Sequence, residues 1–273
     1  MYNNALEILK ILNKNKFEAY IIGGYPRDLY LGNKSTDIDI CTNAKYKDLK
    51  KIFKEIKDNK YGSYKLKYKN QEYEITTYRK ETRYLNNRFP KTKYTKKLTK
   101  DLKRRDFIIN TLCLDRYGSY IDLKNAKKDL DEKIIRLIGP KTKIKEDALR
   151  ILRAIRFATL LNFRIDKKLD QAIEKYKANL NNLSFDRKKS ELEKILIDKN
   201  AQYGIELIKK YKLEQYLKIN LDNVNLIDDI DGIWAQILID DSYNFKKEEN
   251  KKIKTLWIDR NGSYIDLKNA KKD

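Results

Sequence analysis

Two aspartates one residue apart, Asp37 and Asp39, and three arginines spaced by three, Arg150, Arg153 and Arg156, are the side chains of this sequence best suited to chemistry. On an extended segment Asp37-Ile38-Asp39-Ile40, alternate side chains face opposite ways. The two carboxylates then converge while the two isoleucines enter a core. Converging carboxylates repel, and one or two divalent cations are the usual remedy. Histidine is absent, which removes imidazole acid–base and zinc chemistry and leaves carboxylate–cation chemistry. Taken alone, Asp-x-Asp has a plainer reading as two solvated acids on a sheet face.

The elements that must position these acids precede them. Tyr20-Ile21-Ile22 reads as a short buried strand ending at Gly23-Gly24, where the backbone turns tightly and a ligand can come close. A short helix follows, with Pro26 suited to its first turn and Gly32 to its end. The turn offers free backbone N–H groups and Arg27 together, which suits phosphate. Residues 4–14 and 45–57 carry apolar residues at helical spacing, and 63–69 and 72–78 alternate as a hairpin around Asn70-Gln71. Glu74 is a possible third acid, although a solvated sheet face is its simpler reading. Residues 80–100 are basic, rich in tyrosine and poor in aliphatics, the composition of a mobile loop.

Far along the chain, residues 148–161 are apolar except for the three arginines and Thr159. Such a helix is mostly buried, and half-buried guanidinium groups need anions. A nucleoside triphosphate would serve, and so would an internal ion-pair network. Asp147 and Arg150, one turn apart, combine an acceptor with a donor. The pair matches the Watson–Crick edges of cytosine and adenine but not the donor–acceptor order of uracil or guanine.

In this order the residues resemble the head of the DNA polymerase β nucleotidyltransferase superfamily. More narrowly, they are similar to class II tRNA nucleotidyltransferases (CCA-adding enzymes) and bacterial poly(A) polymerases. The family's Gly-Gly-x-Val-Arg-Asp is here Gly23-Gly24-Tyr25-Pro26-Arg27-Asp28, followed by Asp37-x-Asp39. Arg104-Arg105-Asp106-Phe107-Ile108-Ile109-Asn110 is similar to its Arg-Arg-Asp-Phe-Thr-Ile-Asn, and Glu146-Asp147-x-x-Arg150 to its Glu-Asp-x-x-Arg. Ser184-Phe185-Asp186-Arg187 reads as a helix start, an N-terminal cap with an acid in the first turn, and Glu191, Glu193 and Lys194 continue a helix similar to the family's last neck motif, which braces the neck. A connector glycine pair is replaced by Asn125-Ala126, and an arginine expected just before Glu146 is missing.

The resemblance implies an α+β fold: a nucleotidyltransferase head with a mixed β-sheet over 1–138, a helical neck over 139–198 and a helical body over 199–258. It implies CCA addition to a tRNA 3′ end from CTP and ATP. Asp37 and Asp39 would be catalytic and hold two Mg²⁺. Gly23, Gly24, Arg27, Arg153 and Arg156 would meet phosphates, Arg105 the nucleotide, and Asp106 and Asn110 the ribose, while Asp147 and Arg150 would select the base. The basic loop would favour full CCA addition over CC addition. A poly(A) polymerase, a partial CC- or A-adding enzyme, a small-molecule nucleotidyltransferase and a non-catalytic RNA-binding remnant are the rivals.

Composition agrees with a polyanionic partner. The 273 residues hold 62 Lys and Arg against 40 Asp and Glu, a formal charge of +22. Cys41 and Cys113 sit in apolar segments and read as core thiols of a reducing, cytoplasmic setting, with no signal peptide or membrane span expected. Residues 259–273 repeat 115–129 at 14 of 15 positions, Asn261 replacing Tyr117, and read as a duplication beginning with a hairpin around Asn261-Gly262.

Overall fold

The computed structural model describes residues 1–59, 62–85, 89–239, 256–258 and 264–266, with the side chains of 81–91 and of 238 onward left aside. The chain forms two compact units, Met1–Pro140 and Lys141–Asp273.

The first unit is built on a seven-stranded mixed sheet. Helix α1 (Tyr2–Lys14) leads into β1 (Ala19–Ile22), α2 (Gly24–Tyr30), β2 (Asp39–Thr42), α3 (Tyr46–Ile52), β3 (Ile56–Asp58), β4 (Ser63–Tyr68) and β5 (Gln71–Thr77). The ribbon β6 (Arg79–Leu85) and β7 (Phe89–Tyr94) comes next, then α4 (Leu98–Leu102), β8 (Cys113–Leu114), β9 (Tyr120–Ile121), α5 (Ala126–Asp131) and β10 (Ile134–Ile135). The sheet order is β3-β4-β5-β2-β1-β8-β9, with β2 and β5 parallel. Ile8, Leu9 and Leu12 of α1 and Leu49 of α3 close one sheet face over Ile21, Ile40, Ile75 and Tyr64. Each such side chain, fully buried, is worth about 1.5–3 kcal/mol. The opposite face gathers Ile22, Cys41, Tyr78 and Cys113 against Leu98 and Leu102 of α4. Both cysteines are buried free thiols, and burial pushes both thiols up.

Four local expectations are corrected. Asp37 is not on a strand: β2 begins at Asp39, the residue opposite Ile22, because β1 ends there and Gly23 turns the backbone away. Helix α3 stops at Ile52 rather than 57, since Ile56 is taken by pairing with Leu66 of β4. The β4–β5 turn falls on Lys69-Asn70, both at positive φ, a left-handed turn that suits the strand twist. The basic segment forms a two-stranded ribbon, Arg79↔Tyr94 to Leu85↔Phe89, where a loop is expected, with 86–88 outside the described residues. Standing outside the seven-stranded sheet, a ribbon needs no alternating apolar face, so periodicity could not reveal it. At the connector, Asn125 takes the left-handed conformation itself (φ 59°), which asparagine tolerates, so the turn survives without glycine.

The second unit is organised around α7. It comprises α6 (Thr142–Glu146), α7 (Leu149–Leu161), β11 (Arg164–Ile165), α8 (Lys167–Tyr176), a 3₁₀ turn over Lys177–Asn182, α9 (Phe185–Leu196), α10 (Ala201–Lys210), α11 (Glu214–Leu217), β12 (Ile219–Asn220), α12 (Ile230–Gln236), β13 (Leu238–Ile239), β14 (Leu256–Ile258) and β15 (Tyr264–Asp266). Ile151, Leu152, Ala154, Ile155, Phe157 and Ala158 bury the apolar face of α7, which packs on α9 and α10. The contact with α10 is close enough to require Gly204, where a Cβ would stand 2.4 Å from Ile195 Cγ2 and 2.6 Å from Thr159 Oγ1. Asp166 caps α8 through the backbone N–H groups of Lys168 and Leu169. Ser184 precedes α9 in extended conformation but makes no side-chain cap bond.

Strands β14 and β15 pair as Trp257↔Ile265 and Ile258↔Tyr264. Strands β8 and β9 pair as Cys113↔Ile121 and Leu114↔Tyr120. Both register pairs are shifted by the same 144 residues, so the repeated segment keeps the original alignment. The remainder of the repeat, and residues 240–255, lie outside the described residues. No helix among the described residues is long and apolar enough to cross a membrane.

Candidate active site

In the first unit the site grows from the glycine turn. Gly23 adopts φ 92°, open to glycine but strained for other residues. A Cβ there would meet Asp39 Oδ2 at 3.3 Å and Arg105 Nη1 at 3.9 Å. The turn, the acid and the arginine therefore lie together. Asp39 is flanked by Ile22 on β1 and by Glu74 on β5. Burial, then the charges of Asp37 and Glu74, push its carboxyl up to about 6 against the partial relief of Arg105. Asp37 is exposed in the segment just before β2. Glu74 is exposed and accepts from Ser63 Oγ, yet its position opposite Asp39 gives it an electrostatic part that alternation alone did not.

Arg27 lies under the turn. Its Nε and Nη2 donate to Asp28 (2.8 and 3.0 Å) and its Nη1 donates to Asn110 Oδ1 (2.8 Å). Asn110 in turn donates from Nδ2 to Asp106 Oδ1 (3.4 Å), which also accepts from the Phe107 backbone N–H (2.8 Å). Arg27, Asn110 and Asp106 are all nearly buried. This buried chain ties α2 to the Arg105–Asn110 segment and holds the turn rigid. A Cβ on Gly24 would lie 3.5 Å from Arg27 Nη2. Arg105 sits 3.8 Å from Asp101, which is anchored by Arg104.

In the second unit, Asp147 and Arg150 are not two residues on one helix face. Asp147 is extended (φ −149°, ψ 102°) between α6 and α7, and its Oδ1 accepts from the Leu149 N–H, so the carboxylate caps the helix instead of joining it. Arg150 is buried, donates to the Lys143 carbonyl and lies 3.6 Å from Glu146. Arg153 and Arg156 share Glu191 of α9, at 4.0 and 3.1 Å. Both guanidinium groups also lie over the Phe157 ring. Arg187 of α9 donates to Asp147 Oδ1 (3.1 Å). From the sequence Arg187 reads only as part of a helix start and Glu191 as part of a bracing helix, with no partner for either. Their i, i+4 spacing on one helix, facing a run of arginines, was the available signal.

The chemistry of the acid site fits a hard divalent cation. Its donors are carboxylate oxygens, and Asp39 carries a repulsion that a cation would relieve. Among the described residues no three His, Cys, Asp or Glu side chains cluster as a metal site.

Comparison with known proteins fits this geometry. Residues 19–136 match the poly A polymerase head domain, and 162–223 match a probable RNA- and SrmB-binding site of polymerase A. A CCA-adding enzyme of Streptococcus agalactiae is 34% identical over 271 residues, 93% of this chain and 67% of that protein. The chain belongs to the CCA-adding enzyme and poly(A) polymerase family of nucleotidyltransferases. The CCA-adding enzymes of Bacillus subtilis and Enterococcus faecalis are 34% and 37% identical over 80% and 79% of the chain. The chain spans only 56% and 54% of those two relatives. The solved CCA-adding enzyme of Bacillus stearothermophilus in complex with CTP superposes with TM-score 0.74 at 29% identity, over 86% of this chain and 61% of that one. A CCA-adding enzyme complexed with ATP gives 0.71 at 26% identity, over 92% and 65%. The mixed sheet and helical second part are thus those of this nucleotidyltransferase family.

Proposed function

We propose that the chain adds CMP and AMP, without a template, to the 3′ end of tRNA, using CTP, ATP and Mg²⁺. The observation that carries the reading is the meeting of Gly23, Asp39 and Arg105, which puts backbone room, an acid and a cation at one place. The likeness to CCA-adding enzymes, including one in complex with CTP, supports the substrate class.

Asp37 and Asp39 would hold the divalent cation. Bound there, it would supply positive charge to the triphosphate and to the attacking 3′-hydroxyl. Gly23 and Gly24 leave the backbone open to phosphate, and the Arg27–Asn110–Asp106 chain fixes their turn. Arg105 brings a guanidinium to the same spot for the nucleotide. In the second unit Asp147 would accept from the exocyclic amino group of cytosine or adenine while Arg150 donates to the neighbouring ring nitrogen or carbonyl. Arg153 and Arg156, whose charges Glu191 already offsets in part, would add positive charge for phosphate. The excess of basic residues would draw the acceptor stem, with affinity falling steeply as salt rises.

Incubating the full chain with tRNA lacking its 3′ CCA, Mg²⁺ and labelled CTP or ATP tests the reading. Extension by CCA, lost in Asp39→Ala, is expected. A long adenylate tail from ATP alone would make the chain a poly(A) polymerase instead. RNA binding without extension would leave it a non-catalytic relative.

A further inference from the structure

One oxygen of Asp147 is already committed. Its Oδ1 accepts from the Leu149 backbone N–H at 3.2 Å and from Arg187 Nη2 at 3.1 Å. Among the described residues Oδ2 accepts no hydrogen bond. The two side chains are only about one-fifth exposed. An aspartate carboxylate turns easily about its terminal bond, so an unpinned one offers its acceptors over a wide arc. Here a backbone N–H and a guanidinium hold the same oxygen and fix where the other points.

We propose that Arg187 is a positioning residue for nucleotide choice, acting through Asp147. The inference rests on the reading of Asp147 as the base acceptor. With Oδ1 pinned, Oδ2 is a directed acceptor. It meets the amino group of cytosine or adenine and has no proton for the carbonyl that uracil or guanine presents there. Arg187 reaches it from the first turn of α9, and one turn later Glu191 of the same helix holds Arg153 and Arg156. A purely structural brace would lower stability and affect all four nucleotides alike. A positioning residue alters the choice among them.

The test uses the full chain with Mg²⁺ and compares the wild type with Arg187→Gln, Arg187→Lys, Asp147→Asn and the double variant Asp147→Asn/Arg187→Gln. Two quantities are read: equilibrium binding of CTP against UTP, and incorporation kinetics on tRNA lacking its 3′ end. In the wild type CTP should be preferred by about tenfold or more, since a mismatched base leaves a buried polar group unpaired. Arg187→Gln should reduce that preference to about two- to threefold, chiefly by raising KM for CTP. Arg187→Lys should lie between the two, because an ammonium can still hold Oδ1. The double variant should discriminate no worse than Asp147→Asn alone. An undiminished preference in Arg187→Gln, or additive losses in the double variant, would overturn the proposal. If Arg187→Gln melts early, the ratio in Arg187→Lys decides alone, and a wild-type ratio there overturns it. A wild type that extends no tRNA yet binds CTP over UTP would sink the activity and leave the role of Arg187 standing. A wild type with no preference would sink the role of Arg187 together with the base-selecting role of Asp147.

Discussion

Around Asp39 the first unit collects more negative charge than its nearby arginine offsets, whereas the second unit gives each arginine of α7 a carboxylate. Asp37 and Glu74 both push the Asp39 carboxyl up. Arg150 has Glu146, and Arg153 and Arg156 have Glu191. One half is electrostatically incomplete until something positive arrives, and the other is balanced before any ligand does. A carboxylate pushed up by its neighbours gains from a bound cation, while guanidinium groups that are already paired are held in place beforehand.

The contrast can be broken or sharpened by four measurements. The largest effect should be on turnover: Asp39→Ala should lower nucleotide incorporation by about 10²–10³-fold or more, while thermal melting without divalent cation does not fall. A large fall in melting would mean that Asp39 is structural and would erase the contrast. Next, Glu191→Gln should destabilise the second unit by about 1–2 kcal/mol in urea unfolding, because one mostly buried and one partly exposed guanidinium group lose their shared anion. A change under about 0.5 kcal/mol would show that solvent already screens them.

Gly204→Ala should cost about 1–3 kcal/mol, since the new methyl meets Ile195 and Thr159 below contact distance. It should leave the pH dependence of stability unchanged. The smallest effect concerns that pH dependence. Asp39 has a folded-state pKa near 6, above its unfolded value of about 3.9. Its contribution is therefore fully present below about pH 4 and is lost as pH rises through 6. Without divalent cation Asp39→Asn should be more stable than the wild type above pH 6, by about 1 kcal/mol after allowance for partial exposure. The gap should close near pH 4, and Mg²⁺ at pH 8 should stabilise the wild type alone. A constant gap between pH 4 and pH 8 would show that Asp39 does not titrate in this way.

Much of this was legible because local chemistry dictated it. A strand ending at Gly23-Gly24 with Pro26 beyond it can form little else than a turn into a helix, and the charged-then-apolar run through Asn110 had to seek polar partners at a core edge. What escaped reading depends on residues distant in sequence. The start of β2 is fixed by Ile22 and Glu74, not by its own alternation. Asp147 stands outside the helix with its Oδ1 held by both the Leu149 N–H and Arg187. The anion for Arg153 and Arg156 comes from α9, 35 residues beyond Arg156. Pairing across such separations leaves no periodic trace.

The hairpin that recurs near the C-terminus carries one further lesson. The residues ahead of the copied stretch differ, Leu-Cys-Leu in one case and Leu-Trp-Ile in the other, yet both arms close on the same rung. The register therefore does not depend on whether the first arm carries Cys113-Leu114 or Trp257-Ile258. The copied stretch keeps step with an apolar arm of different volume, which makes it a usable unit for adding strand pairs by duplication.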